Sequence, residues 1–139
     1  MKKSIAWLGL ILLLSGCSSE LSFSVQKKDS ASRGVQEFVN GVKDENGIHL
    51  YLVGKKTAYV YLNGLNVELG EKAIHFTDFQ VEEEGDTLNF VYTHDETADY
   101  SDPALHHERL YKVKLDKDYE YVKALGNGKE VSFGVVSGR

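Results

Sequence analysis

The stretch GIHLYLVGKKTAYVYLNGLNVEL, residues 47–69, decides the fold class. Ile48–Val53 is apolar on both faces, as in a strand covered on both sides. Gly54-Lys55-Lys56 punctuates it, and Thr57–Leu62 reads as a second strand. Asn63-Gly64 is a pair favoured by tight hairpins, because both residues tolerate positive φ. Leu65–Leu69 is the expected return strand.

Towards the C-terminus the same grammar continues. Ala73–Glu82 alternates, but Ile74 and Phe76 fall on one parity and Phe79 and Val81 on the other, which predicts a bulge or bend between them. Glu83-Glu84-Gly85-Asp86 is a polar turn. Thr87–Thr93 sets Leu88, Phe90 and Tyr92 on one face. Glu108–Leu115 places Tyr111, Val113 and Leu115 inward, with Lys112 and Lys114 outward. Tyr119–Ala124 follows, and Gly126-Asn127-Gly128-Lys129 turns the chain into Glu130–Val136. Aromatic and β-branched runs between glycine turns favour strands. The pattern predicts an all-β domain over residues 34–139, a small antiparallel barrel or sandwich of about eight strands.

Upstream, Gln36–Val42 fits a helical turn or a strand equally. Residues 18–33, SSELSFSVQKKDSASR, are rich in serine and charge and read as a flexible tether. Sixteen such residues would have an r.m.s. span of about 20–24 Å. Leu21, Phe23 and Val25 alternate, so a short edge strand is the rival reading.

The first 17 residues have their own order. Lys2 and Lys3 precede an apolar run, Ile5–Leu14, which small residues and a cysteine close: Leu14-Ser15-Gly16-Cys17. The layout is that of a secretory signal. About ten apolar residues are too few for a transmembrane helix, which needs roughly 20. Leu-Ser-Gly-Cys resembles the lipobox of bacterial lipoproteins. That resemblance implies cleavage after Gly16, a diacylglyceryl group on the sulfur of Cys17 and an acyl group on its new amino group. It implies anchorage to the extracytoplasmic face of the cell membrane, with residues 17–33 as lipidated N-terminus and tether. No motif places the folded part in a family.

Cys17 is the only cysteine, so no intrachain disulfide can form. Removing residues 1–16 leaves enough chain for one small domain. The chain carries 16 basic against 21 acidic side chains, and losing Lys2 and Lys3 takes the balance from −5 to −7. Such a balance argues against nucleic acid as a partner.

Chemistry concentrates in the stretch THDETADYSDPALHHERL, residues 93–110. Three of the five histidines lie there, among several carboxylates. Imidazole with carboxylate suits a divalent cation. If residues 94–107 bridge two hairpin strands, His94 and His106 or His107 would meet across the hairpin, with Asp95 or Asp102 completing the shell. No established ligand spacing supports them. No nucleophile elbow or comparable catalytic motif occurs. Tyr59 and Tyr61 share a face, as do Tyr119 and Tyr121, which suits core packing or a contact surface. His49 and His75, single within strands, read as structural. The expected function is non-enzymatic and cofactor-free: an envelope lipoprotein binding a protein or small ligand. The alternative is a divalent-cation-binding lipoprotein using the 94–108 segment.

Overall fold

Strand 48–53 is apolar on both faces because both are covered. The computed structural model describes residues 20–138. The signal segment, Cys17 and the first part of the expected tether lie outside them. The elements are β1 Ser22–Val25, a single 3-10 turn at Lys28–Ser30, α1 Arg33–Val42, β2 Gly47–Val53, β3 Thr57–Asn63, β4 Ala73–Glu84, β5 Thr87–Thr97, β6 Glu108–Lys114, β7 Tyr121–Gly126, β8 Lys129–Val131 and β9 Val136–Gly138.

They form two sheets, ordered β1-β6-β3-β2-β9 and β4-β5-β7-β8. The expected choice between barrel and sandwich resolves to a sandwich, with no closed barrel. Two pairs, β2 with β9 and β5 with β7, are parallel, so the chain is not a pure antiparallel meander.

Between the sheets, Ile48, Leu50, Val60, Leu62 and Val113 face Phe76, Phe79, Leu88, Phe90 and Ala124, all buried. Burying each Leu, Ile, Val or Phe stabilises the fold by roughly 1.5–3 kcal/mol. On the opposite face of the first sheet, Val35, Phe38, Val39 and Val42 of α1 pack on Tyr61 and Leu110. Their i, i+3, i+4, i+7 spacing makes one stripe of a helix. Ser32 caps it, its side chain accepting from the Val35 amide at 3.4 Å. This is the cover that Tyr51, Tyr59 and Tyr61 require. The tyrosine stripe of β3 is thus packing: Tyr61 is fully buried, and Tyr51 stacks on Phe38 at 5.1 Å.

Three expectations are corrected. First, residues 20–33 are not all tether. β1 pairs in register with β6, Ser22 opposite Lys114 and Val25 opposite Tyr111. Phe23 fixes it there, edge-on to Phe79 at 5.0 Å and to Tyr111 at 6.0 Å. Folded structure therefore starts at Ser22, not at residue 34.

Second, Asn63-Gly64 makes no hairpin and residues 65–69 form no strand. The edge of β3 that a return strand would occupy pairs with β6 instead, Asn63 opposite Glu108. The Asn63 side chain is also committed elsewhere. Its Nδ2 donates to the carbonyls of Val42, Lys43 and Glu45 at 2.9–3.2 Å, and its Oδ1 accepts from the Leu65 amide at 2.9 Å. It thereby joins the Glu45 amide, Asn66 and His49 in satisfying the carbonyls at and just beyond the C-terminus of α1. The turn with two positive φ values falls at Asn127-Gly128, between β7 and β8.

Third, the expected strand 130–136 is split. β8 belongs to the second sheet and β9 to the first, so residues 132–135 cross between them. The bulge expected in β4 is present, as a register shift between Phe76 and Asp78. It brings Phe76 and Phe79, of opposite parity, into the same core.

Candidate functional site

Two irregular segments meet at one end of the sandwich: residues 64–72, linking β3 to β4, and residues 98–107, linking β5 to β6. Backbone bonds tie them together. The Gly64 amide donates to the His107 carbonyl at 2.8 Å, and the Phe76 amide to the His106 carbonyl at 2.8 Å. The Tyr100 hydroxyl donates to the Glu71 carbonyl across the gap. Gly64 permits this approach. A Cβ there would stand 3.1 Å from the Ile74 carbonyl oxygen and 3.2 Å from that of His107.

Between the segments lies an open cleft of about 590 Å³, lined by Leu65, Val67, Leu69, Ala73, Tyr100 and His107 with Gly64, Glu68 and Gly70. Its rim is apolar and in water: Leu69 is fully exposed, and Leu65, Val67 and Tyr100 are 45 %, 37 % and 54 % exposed. The volume is within the range of small-molecule sites, which pair apolar walls with few polar groups.

His107 supplies the distinctive polar group. Its Nδ1 lies 2.8 Å from the Ile74 carbonyl, which can only accept, so Nδ1 carries the proton. That fixes the tautomer and leaves Nε2 with a free lone pair when the ring is neutral. Nε2 is buried and has no hydrogen-bond partner among the described residues. Buried polar atoms without partners are uncommon and costly. His106, next to it, is exposed. Its pKa is drawn below the ordinary imidazole value, first by desolvation and then by the charge of Arg109 and by His107.

The residues expected as cation ligands do not converge. The strand β5 runs on to Thr97, so His94 and Asp95 belong to it and the loop is shorter than residues 94–107. Phe76 of β4 pairs with His94 on one side and bonds His106 on the other. β4 therefore separates His94 from His106 and His107, which a β5–β6 hairpin would have joined. The His94 ring packs on Phe76 and Tyr92, and its backbone is held by the Asn127 side chain. The carboxylates bond neighbouring backbone: Asp95 accepts from the Glu96 amide within β5, and Asp102 from the Ala104 amide, each at 2.9 Å. Among the described residues no group of three His, Cys, Asp or Glu side chains is placed to hold a metal ion.

The cleft itself was not anticipated from sequence. Leu65, Val67 and Leu69 alternate as a strand would, and only their misfit with the β3–β6 pairing reveals them as a lip. Tyr119 and Tyr121 do not line it. Tyr119 donates to Asp116 at 2.5 Å and Tyr121 points into solvent. His49, read as structural, is so: its Nε2–H donates to the Glu45 carbonyl at 2.9 Å and its Nδ1 accepts from the Val135 amide at 3.1 Å.

Residues 1–18 match the family model described as the prokaryotic membrane lipoprotein lipid attachment site. The chain carries a lipoprotein attachment signal. Cys17 is the one cysteine within that site. No curated protein and no solved structure matches the chain. No helix among the described residues is long and apolar enough to cross a membrane.

Proposed function

We propose that this lipoprotein is a non-enzymatic binding module of the cell envelope. It is held by lipid on Cys17 at the extracytoplasmic face, and its cleft takes a small, largely apolar ligand. The observation that carries this reading is the cleft itself, with exposed Leu65, Val67, Leu69 and Tyr100 on its rim and His107 in its wall. An apolar group entering the cleft leaves water, at roughly 25 cal/mol per Å² of area buried. The polar edge of that ligand would meet Glu68, Tyr100 and His107 in the cleft wall. The cleft lining holds no serine, threonine or cysteine, and no metal-holding group occurs among the described residues, an arrangement suited to binding. The exposed leucines and valine would be a liability on an unpartnered surface, which a ligand would relieve.

Para-cresol joins an apolar ring to one donor and is a suitable probe. Nitrogen-15 NMR of the chain from Ser18 onward, which contains every element of the fold, should show saturable shifts at the His107 ring and the Gly64 and Gly70 amides. Leu69→Asp, at a fully exposed position, should weaken them without unfolding the protein. Unmoved His107 and Gly64 resonances, or identical titrations in the variant, would sink this reading.

A further inference from the structure

The start of β1 and the cleft lie at opposite ends of the domain. β1 starts at Ser22, five residues beyond Cys17. Five residues reach at most about 18 Å. Ser22 is level with Lys114, Thr57 and Val53 in the first sheet, whereas Gly47, Asn63 and Glu108 mark its other end. Six residue steps along β3 separate those ends, about 20 Å.

The second sheet has the same polarity. Lys117 Nζ donates to the Gly85 carbonyl at 3.1 Å, and the Glu120 amide to the Asp86 carbonyl at 3.0 Å. An ion pair, Lys55 to Asp118 at 3.8 Å, joins the β2–β3 turn to the same group. The β2–β3, β4–β5 and β6–β7 connections therefore gather at the end where the chain arrives from Cys17. The cleft residues Gly64, Ala73 and His107 gather at the other.

Charge divides this end into two corners. Lys56 and Lys114 are exposed beside Ser22 on the first sheet, and Lys55 is exposed there in its pair with Asp118. Glu82, Glu83, Glu84, Asp86 and Glu120 are exposed on the second, Glu83 paired with Lys117 at 3.1 Å. Anionic headgroups attract the first corner and repel the second.

We propose that this end of the sandwich rests on the bilayer that holds the anchor, with Lys55, Lys56 and Lys114 towards the headgroups, and that the cleft opens away from that bilayer. The proposal rests on lipidation of Cys17 but not on what the cleft binds. It implies that the ligand arrives from the aqueous side and not out of the supporting membrane.

The single cysteine makes the test clean. With its sulfur in a thioether to lipid, a cysteine introduced elsewhere is the only free thiol. The lipidated full-length protein, as Val53→Cys or Leu69→Cys, is labelled with an environment-sensitive fluorophore. It is then incorporated into vesicles of phosphatidylglycerol and phosphatidylcholine containing a headgroup spin label. The Val53→Cys label should be quenched several-fold more than the Leu69→Cys label. Equal quenching, or the reverse order, would overturn the proposal. Adding Lys56→Glu and Lys114→Glu to Val53→Cys should reduce quenching with phosphatidylglycerol but not with phosphatidylcholine alone. No change in either lipid would overturn the lysine contact. Failure of the unsubstituted protein to float with vesicles would overturn the anchor and the orientation together, a result distinct from floated protein with the wrong order.

Discussion

The Tyr61 hydroxyl donates to Glu108 Oε1 at 2.5 Å, and Lys28 Nζ closes on the same carboxylate at 2.9–3.0 Å. One carboxylate thus ties β3, β6 and the 3-10 turn ahead of α1. Tyr61 is fully buried, whereas the Glu108 and Lys28 side chains are 27 % and 43 % exposed. The hydroxyl bond, out of water and charge-assisted, matters more than the half-exposed ion pair. Tyr61→Phe should cost about 1–2 kcal/mol in urea unfolding. Lys28→Ala should cost under about 1 kcal/mol.

The same phenol sets an alkaline limit. Its pKa is raised by burial first and then by the bond to, and the charge of, Glu108. Tyr92 is raised by burial, and Tyr119 by desolvation and its bond to Asp116. In the unfolded chain these phenols ionise near pH 10. Above that the unfolded state sheds protons that the native state retains, so stability is full below about pH 10 and falls as pH rises through the raised values. Absorbance at 295 nm should show these three tyrosines ionising above pH 10, Tyr61 last, and Tyr61→Phe should flatten the fall. Simple titration of all eight tyrosines near pH 10 would contradict this.

Two glycines should respond in opposite directions. A Cβ on Gly134 would stand 2.4 Å from His49 Cε1, so Gly134→Ala must displace a buried ring that holds two backbone groups. A loss of about 2 kcal/mol or more is expected from breaking that buried network. Gly41, in α1, has nothing within 4 Å of its Cβ position. Gly41→Ala should raise stability by roughly 0.5–1 kcal/mol. Thermal unfolding of both variants checks the pair.

Asn63→Ala should be costly for a small exchange. It removes a buried donor shared by three carbonyls and the acceptor of the Leu65 amide, for a loss of about 1–2 kcal/mol. Asn63→Asp should be worse, since it turns a carboxylate oxygen towards those carbonyls. Hydrogen exchange should show α1 loosening ahead of β3.

Much of the sheet was legible because side-chain alternation is a local signal. The inward set of β5 and β6, the β4 bulge and the Asn127-Gly128 turn follow from it. What covers a two-faced strand is not local. The doubly apolar β2 implied a cover, but the cover lies just upstream, where Gly34 and Gly41 weaken the helix signal. A window beginning at Val35 shows the 35, 38, 39, 42 stripe, whereas one beginning at Gln36 loses its first member. Asn63-Gly64 misled because a hairpin signal cannot reveal that the asparagine side chain is needed twenty residues upstream. The histidine cluster misled because adjacency in sequence hid the intervening β4. The cleft was illegible for the same reason: its two walls are joined only by tertiary bonds between Gly64 and His107 and between Glu71 and Tyr100.

Everything about where this domain works depends on Cys17. Mass spectrometry of the protein isolated from membranes tests it most directly. The account predicts an N-terminal peptide that begins at Cys17 and carries a diacylglyceryl adduct, absent in Cys17→Ala. An unmodified Cys17, or an N-terminus that still contains Gly16, would contradict it.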